Sequence, residues 1–289
     1  MGMREAIDSG QFIVTAEVAP PKGIHFDHVL EEAEEVRGRV VGINVTDLQS
    51  AVTRASSLGM CIKLKEAGFH PILQVVCRDR NRLSLQSELL TAAAFGVTDF
   101  LALTGDYITL GDDPKAMPVF DLDSVQLIKA ARTLEQGTDL AGNELEGDPP
   151  KFCVGCVVNP GADPLEPQIM KLYKKVEAGA EFVQTQAVYD PAKFEKFIEA
   201  VGDIGIPILA GIVILKSAGM AKFMNRNVAG VTVPDELIER MANAEDRRAE
   251  TIDITIDLVN ALKPMCQGIH FMPLGWMDVV PPILDACGL

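Results

Sequence analysis

Eight short apolar, β-branched runs alternate with longer amphipathic stretches along 289 residues, and that alternation limits the possible folds more than any other feature. The first run, Phe12 to Pro21, begins with Val and Ile and is ended by two prolines, which cannot donate to a strand ladder. The others are Val40–Asp47, Pro71–Val76, Asp99–Asp106, Lys151–Asn159, Phe182–Val188, Pro207–Ile214 and Gly268–Leu274. Helices are expected between them over Asp27–Val36 (with Asp27 as N-cap), Thr53–Ala67, Asn81–Phe95, Leu122–Leu134, Pro164–Ala178, Pro191–Val201 and Ser217–Asn225. Two further helices, one from Pro234 and one across Glu245–Leu262, precede the last strand, and a final one runs from Met277 to Ala286.

Continuous apolar strands joined by helical crossovers imply a parallel sheet covered on both faces. Eight such units predict an α/β protein: a single (β/α)8 TIM barrel over residues 1–289, with extra helices before the last strand. No Gly-x-Gly-x-x-Gly follows the first run, which argues against an open dinucleotide-binding sheet. There is no run of 18 apolar residues and no basic-then-apolar leader, so no membrane insertion and a cytoplasmic location are expected. A net charge of −15 disfavours a nucleic-acid partner. Six cysteines are expected as buried thiols, and Cys153-Val-Gly-Cys156 lacks a second pair at zinc-ligand spacing, so no metal site is expected.

Barrel active sites form at the C-terminal ends of the strands. The polar residues expected there are Glu17, Thr46, Asp47, Gln74, Thr104, Gly105, Asp106, Asn159, Thr185 and Gln186. Glu17 lies within an apolar run, where burial would raise its proton affinity toward that of a general acid. His25 and His28 read as surface loop, His70 as remote from the site, and His270 as a core histidine. A ring of acids and amides without a nucleophile or metal cluster suits a borrowed cofactor that carries the chemistry. The long loop Tyr107–Asp121 reads as functional, and the polar excursion from Gln136 to Pro150 as an interface or lid.

Several segments together resemble the methylenetetrahydrofolate reductases over nearly the whole chain. They are Ala16-Glu17-Val18-Ala19-Pro20-Pro21, Asn44-Val45-Thr46, Ala102-Leu103-Thr104-Gly105-Asp106, Lys174-Lys175-Val176-Glu177-Ala178-Gly179-Ala180 and Gln184-Thr185-Gln186-Ala187-Val188-Tyr189-Asp190. The resemblance implies a flavin enzyme, with FAD or FMN, that reduces 5,10-methylenetetrahydrofolate to 5-methyltetrahydrofolate. Glu17 matches the family's general acid, Asp106 its aspartate beside flavin and folate, and Gln186 its pterin-binding glutamine. Thr46, Gln74, Thr104, Gly105, Asp106 and Asn159 fall at flavin-contacting positions. Gln168, Lys171, Lys174 and Lys175 fall where the family holds the ribityl, phosphate or adenosine portion.

The chain also departs from the family pattern. Thr104 stands where many relatives carry arginine, Gln74 where some carry histidine, and Ala218 where some carry an aromatic residue that stacks on the nicotinamide or folate ring. Leu274-Gly275-Trp276 replaces a stretch that holds a substrate-binding arginine. The electron donor is therefore expected to be NAD(P)H or a redox partner protein, in a homo- or hetero-oligomer. Two competing readings are a pterin-dependent methyltransferase barrel and a non-catalytic flavin-binding electron-transfer subunit.

Overall fold

The apolar runs form eight strands in the computed structural model, which describes residues Gly2–Leu289. They are β1 (Ile13–Val18), β2 (Gly42–Val45), β3 (Pro71–Val76), β4 (Asp99–Leu103), β5 (Cys153–Val158), β6 (Phe182–Ala187), β7 (Ile208–Val213) and β8 (Gly268–Met272). Each pairs in parallel with the next, and β8 pairs with β1, closing the barrel. The chain is a TIM barrel, as the alternation predicts.

The crossovers are α2 (Asp27–Glu34), α3 (Ser57–Glu66), α4 (Arg82–Ala94), α5 (Ser124–Glu135), α6 (Glu166–Glu177) and α7 (Pro191–Val201). Between β7 and β8 lie α8 (Ala218–Asn227), α9 (Asp235–Asn243) and α10 (Arg247–Leu262), and α11 (Val280–Cys287) packs on α10 at the end. Local chemistry sets several starts: Asn81, Asp123, Asp190, Ser217 and Asp246 each cap a helix by accepting a backbone N–H. Asp27 does not cap α2. Phe26 occupies the N-cap position with no side-chain bond, and Asp27 lies in the first turn, where its charge favours the helix dipole.

One element is absent from the sequence-based reading. Helix α1 (Met3–Ser9) closes the N-terminal mouth of the barrel. Met3 and Ala6 join Ile13, Ile72, Leu101, Cys153, Phe182 and Leu209 in an inner apolar cluster, separate from the larger core between strands and helices. That cluster requires a glycine at 155, because a Cβ there would lie 2.2 Å from Phe182 Cζ. Gly155→Ala is therefore expected to destabilise the fold by about 1–3 kcal/mol, the usual cost of overpacking, measured by denaturant unfolding. Wild-type stability in that variant would mean that the ring is free to move.

Asp99 anchors α1 by accepting the Met3 N–H at 3.1 Å, and it is only 8% exposed. Burial raises its pKa above the ordinary 3.8. A carboxyl whose folded value is raised favours folding when protonated, so its contribution is full below the unfolded value and is lost as pH rises through the folded one. Asp99→Asn keeps an acceptor for Met3 and removes the charge. Its melting temperature relative to wild type is expected to rise from pH 4 to pH 7, and a constant offset would discount the buried charge.

The excursion after α5 lies at the N-terminal end of β5, because a chain leaving a barrel helix returns to that end. Residues 136–150 fold into a turn around Asp139, which accepts from Ala141 N and Asn143 N, and Leu140 N donates to Gln86. A lid over the C-terminal face is excluded for this segment.

Candidate active site

A cavity of about 380 Å³ opens at the C-terminal ends of the strands. Its floor is Glu17, whose side chain is 9% exposed. Gln74 Nε2 donates to Glu17 Oε2 at 2.8 Å, and His270 Nε2 stands 3.7 Å from the same oxygen. Beneath lies a buried polar network. Asn44 and Gln184 exchange two hydrogen bonds at 2.8 and 3.0 Å, Gln184 Nε2 also donates to Thr15 Oγ1, and Thr15 Oγ1 contacts His270 Nδ1.

Gln184, Thr185 and Gln186 all line the cavity, although alternate residues of a regular strand face opposite ways. The register between β6 and β7 shifts between Gln184 and Ala187, which re-aims these side chains. The Thr185 hydroxyl accepts from Gly211 N, and Gln186 Oε1 accepts from Ala187 N.

The wall nearest β3 and β4 contains Thr104, Gly105 and Asp106. Thr104 shares its hydroxyl with Ser124, tying the wall to α5. Gly105 has φ +98°, and a Cβ there would lie 2.8 Å from Arg78 Cβ, so both backbone and space require glycine. Asp106 is exposed, and its backbone oxygen accepts from Arg78. Arg78 is an unforeseen member of this wall. Its guanidinium is 1% exposed, is paired with Asp79 at 2.7 Å and reaches Leu48 O. A guanidinium thus stands beside Asp106 and Leu48, delivered from the end of β3.

Asp47 is less available than the sequence suggests. It is held by Arg80 at 2.6 Å and by Val76 N at 2.9 Å. Thr46 is not among the residues that line the cavity; it is 2% exposed, and its Oγ1 has no hydrogen-bond partner among the described residues. Asn159 lines the cavity, but its amide is engaged with Ala229 O and Gly161 N.

Helix α6 presents Gln168, Lys171 and Lys175 to the cavity, a spacing that puts them on one face. Lys175 is 5% exposed, and its Nζ donates to Val157 O at 2.6 Å with no carboxylate partner among the described residues. Desolvation lowers its pKa. Lys171 lies 3.8 Å from Asp123. Lys174 faces elsewhere, into a neighbouring cleft of about 700 Å³ that shares Thr104 and Gly105 with the main cavity.

Loop 107–121 straps across the face. Asp112 pairs with Lys22 and accepts from Thr53 N, and Val119 N donates to Arg78 O. On the far side, Lys216 donates to Leu274 O, and the Trp276 ring has Lys216 at 5.1 Å and Arg248 at 4.8 Å. His70 lies at the opposite end of the barrel, before β3.

The methylenetetrahydrofolate reductase family model matches residues 2–288. A fission yeast (Schizosaccharomyces pombe) protein named methylenetetrahydrofolate reductase 2 is 30% identical over 75% of this chain and 35% of its own length. A Caenorhabditis elegans protein named probable methylenetetrahydrofolate reductase (NADPH) is 28% identical over 71% of this chain and 31% of its own. The chain thus spans about a third of the curated relatives it matches. Among solved structures, a Clostridium thermocellum protein described as binding two copies of 5-methyl-5,6,7,8-tetrahydrofolic acid superposes with TM-score 0.64 at 15% identity, covering 99% of this chain and 98% of that one. A 2,3-dimethylmalate lyase gives 0.52 at 13%, covering 99% and 87%, a likeness of fold alone. No helix among the described residues is long and apolar enough to cross a membrane. The family model matches nearly the whole chain, and the chain belongs to the methylenetetrahydrofolate reductase family.

Proposed function

We propose that this barrel reduces 5,10-methylenetetrahydrofolate to 5-methyltetrahydrofolate with a bound flavin. The observation that carries the reading is Glu17, a nearly buried carboxyl at the cavity floor with one oxygen engaged by Gln74 and His270 and the other without a hydrogen-bond partner among the described residues. A flavin fits the surrounding groups. The orphaned Thr46 hydroxyl needs a partner, the Lys175 ammonium lacks a counter-anion among the described residues, and Gly105 leaves room for close approach. Gln74, Thr104, Gly105, Asp106, Asn159, Gln168 and Lys171 would hold it together with Lys175, Lys174 would reach its far end from the adjoining cleft, and Thr46, outside the cavity lining, would serve only if its buried hydroxyl turned toward the flavin.

When bound, the flavin supplies the hydride. The chain's own residues do the rest. Glu17 gives its proton to N10 of the folate, the methylene–N10 bond breaks with its electron pair remaining on N10, and a 5-iminium cation results. The Asp106 carboxylate stabilises that cation, and Gln186 orients the pterin. Lys216 beside Trp276 offers positive charge to the glutamate tail, with Arg248, itself paired with Asp278, on the same ring. The ligand of the C. thermocellum neighbour is the product of this reaction, which supports the substrate class. Ala218, at the start of α8, offers no ring for stacking, which favours electron delivery by a partner protein over direct use of NAD(P)H.

The test is the absorption spectrum of the purified chain, mass identification of the released cofactor as FAD or FMN, and anaerobic reoxidation of the reduced protein by methylenetetrahydrofolate. A colourless protein that refuses added flavin would return the chain to the methyltransferase reading. Rapid bleaching by NADH alone would remove the partner protein.

A further inference from the structure

Arg78 follows the end of β3, is 1% exposed and lines the cavity. Its donors go to three residues. Nε and Nη2 form a two-pronged pair with Asp79 at 2.8 and 2.7 Å, which neutralises the charge. Nη2 also reaches Leu48 O at 3.2 Å, and Nη1 donates to Asp106 O at 3.3 Å. The backbone takes part as well, since Arg78 O accepts from Val119 N at 2.7 Å. Arg78 thus holds the loop after β2 at Leu48 and the loop after β4 near both of its ends, at Asp106 and Val119. The first of these loops has an unfavourable backbone. Leu48, Ser50 and Ala51 have φ of +47°, +55° and +56°, a left-handed region that residues with a Cβ rarely adopt. Such a run persists only where surrounding contacts fix it. The two loops also meet backbone to backbone, because a Cβ on Gly111 would lie 1.9 Å from Ala51 O.

We propose that Arg78 is a positioning residue that clamps these two loops together and so fixes where the Asp106 carboxylate stands at the cavity. The proposal rests on the role given to Asp106 above, stabilisation of the folate cation, and deepens it. Leu48, Gln49 and Asp106 all line the cavity, so the clamp sets the shape of one stretch of its rim. Asp106 is exposed, and its place is set through its backbone, which leaves Gly105 at φ +98° and is caught at its oxygen by Nη1. A carboxylate stabilises a developing cation only where it is held close, and a displacement of about 1 Å is enough to slow a reaction about 100-fold. Lysine cannot take the part of arginine here. An ammonium can pair with Asp79, but it lacks the planar fork that meets a carboxylate and both loop carbonyls at once.

The first test needs neither flavin nor turnover. Hydrogen exchange of the flavin-free wild-type chain is expected to show protected amides at Ala51, Gly111 and Val119, which donate to Leu48 O, Ile108 O and Arg78 O. In Arg78→Lys these amides should exchange at least about 10-fold faster, while those of the barrel strands keep their wild-type rates. Immediate exchange in the wild type, or unchanged exchange in Arg78→Lys, overturns the clamp. The second test is a double-mutant cycle on the flavin-loaded chain. Arg78→Lys is expected to slow the folate half-reaction about 10- to 100-fold at saturating folate. Because that loss runs through the carboxylate, adding Arg78→Lys to Asp106→Ala should slow the step by less than about threefold more. Losses that multiply in the double variant, or a wild-type rate in Arg78→Lys alone, overturn the proposal. Arg78→Gln, which keeps one neutral donor group, repeats the cycle if the lysine variant does not fold. A wild-type chain that never reduces methylenetetrahydrofolate would sink the reductase reading instead, leaving the exchange result to decide the clamp.

Discussion

Replacing Glu17 with Gln is expected to leave flavin binding and flavin reduction at wild-type level and to slow the folate half-reaction by at least about 100-fold, the usual worth of a positioned general acid. The substitution is close to isosteric. An amide oxygen still accepts from Gln74, which now holds Oε2 at 2.8 Å, so the floor keeps its shape while losing the transferable proton. Only ring opening of the folate needs that proton, which is why the two half-reactions should separate. Anaerobic stopped-flow reoxidation of the reduced variant by methylenetetrahydrofolate is the measurement. A rate near wild type would mean that water or another group protonates N10, and Glu17 would then be a floor residue.

The strands and most helices are legible in the sequence because their signals are local: β-branched runs, caps such as Asn81, Asp123 and Asp190, and glycines after helices. The ring of polar residues at one end follows from the fold once eight units are counted. What the sequence hides depends on partners far along the chain. His270 reads as a core residue because its meaning lies in Thr15, 255 residues away and reached only when β8 closes onto β1. Arg78 is masked in the same way, since its contacts with Gly105 and Asp106 need β3 beside β4. Helix α1 has seven residues, too few for a periodicity, and its burial exists only because the barrel floor needs a cover. Thr46 shows how a position can be foreseen and its circumstances not, since the sequence cannot say that its hydroxyl has no partner.

Lys174 and Lys175 carry the same lesson into a prediction. Adjacent in sequence, they read as one phosphate-binding pair, but neighbours on a helix point about 100° apart, as the 3.6-residue turn requires. Lys175 enters the main cavity, buried, with one carbonyl partner, whereas Lys174 is exposed beside the adjoining cleft. Lys175→Met is expected to weaken flavin binding about 10- to 100-fold, the worth of a charge-assisted hydrogen bond. Lys174→Ala should cost about fivefold or less, in keeping with exposed ion pairs. Fluorescence titration of the flavin-free chain with FMN and FAD reads both. The stability of the flavin-free chain supplies the control. Desolvation lowers the Lys175 pKa, so its charged form opposes folding at neutral pH, and an apolar stem of similar length relieves that cost. The variant should therefore melt no lower than wild type while binding flavin more weakly. Were both to fall together, Lys175 would be a structural bolt on Val157 O. A gain in stability at the expense of affinity is what a cation held in place for an absent anion predicts.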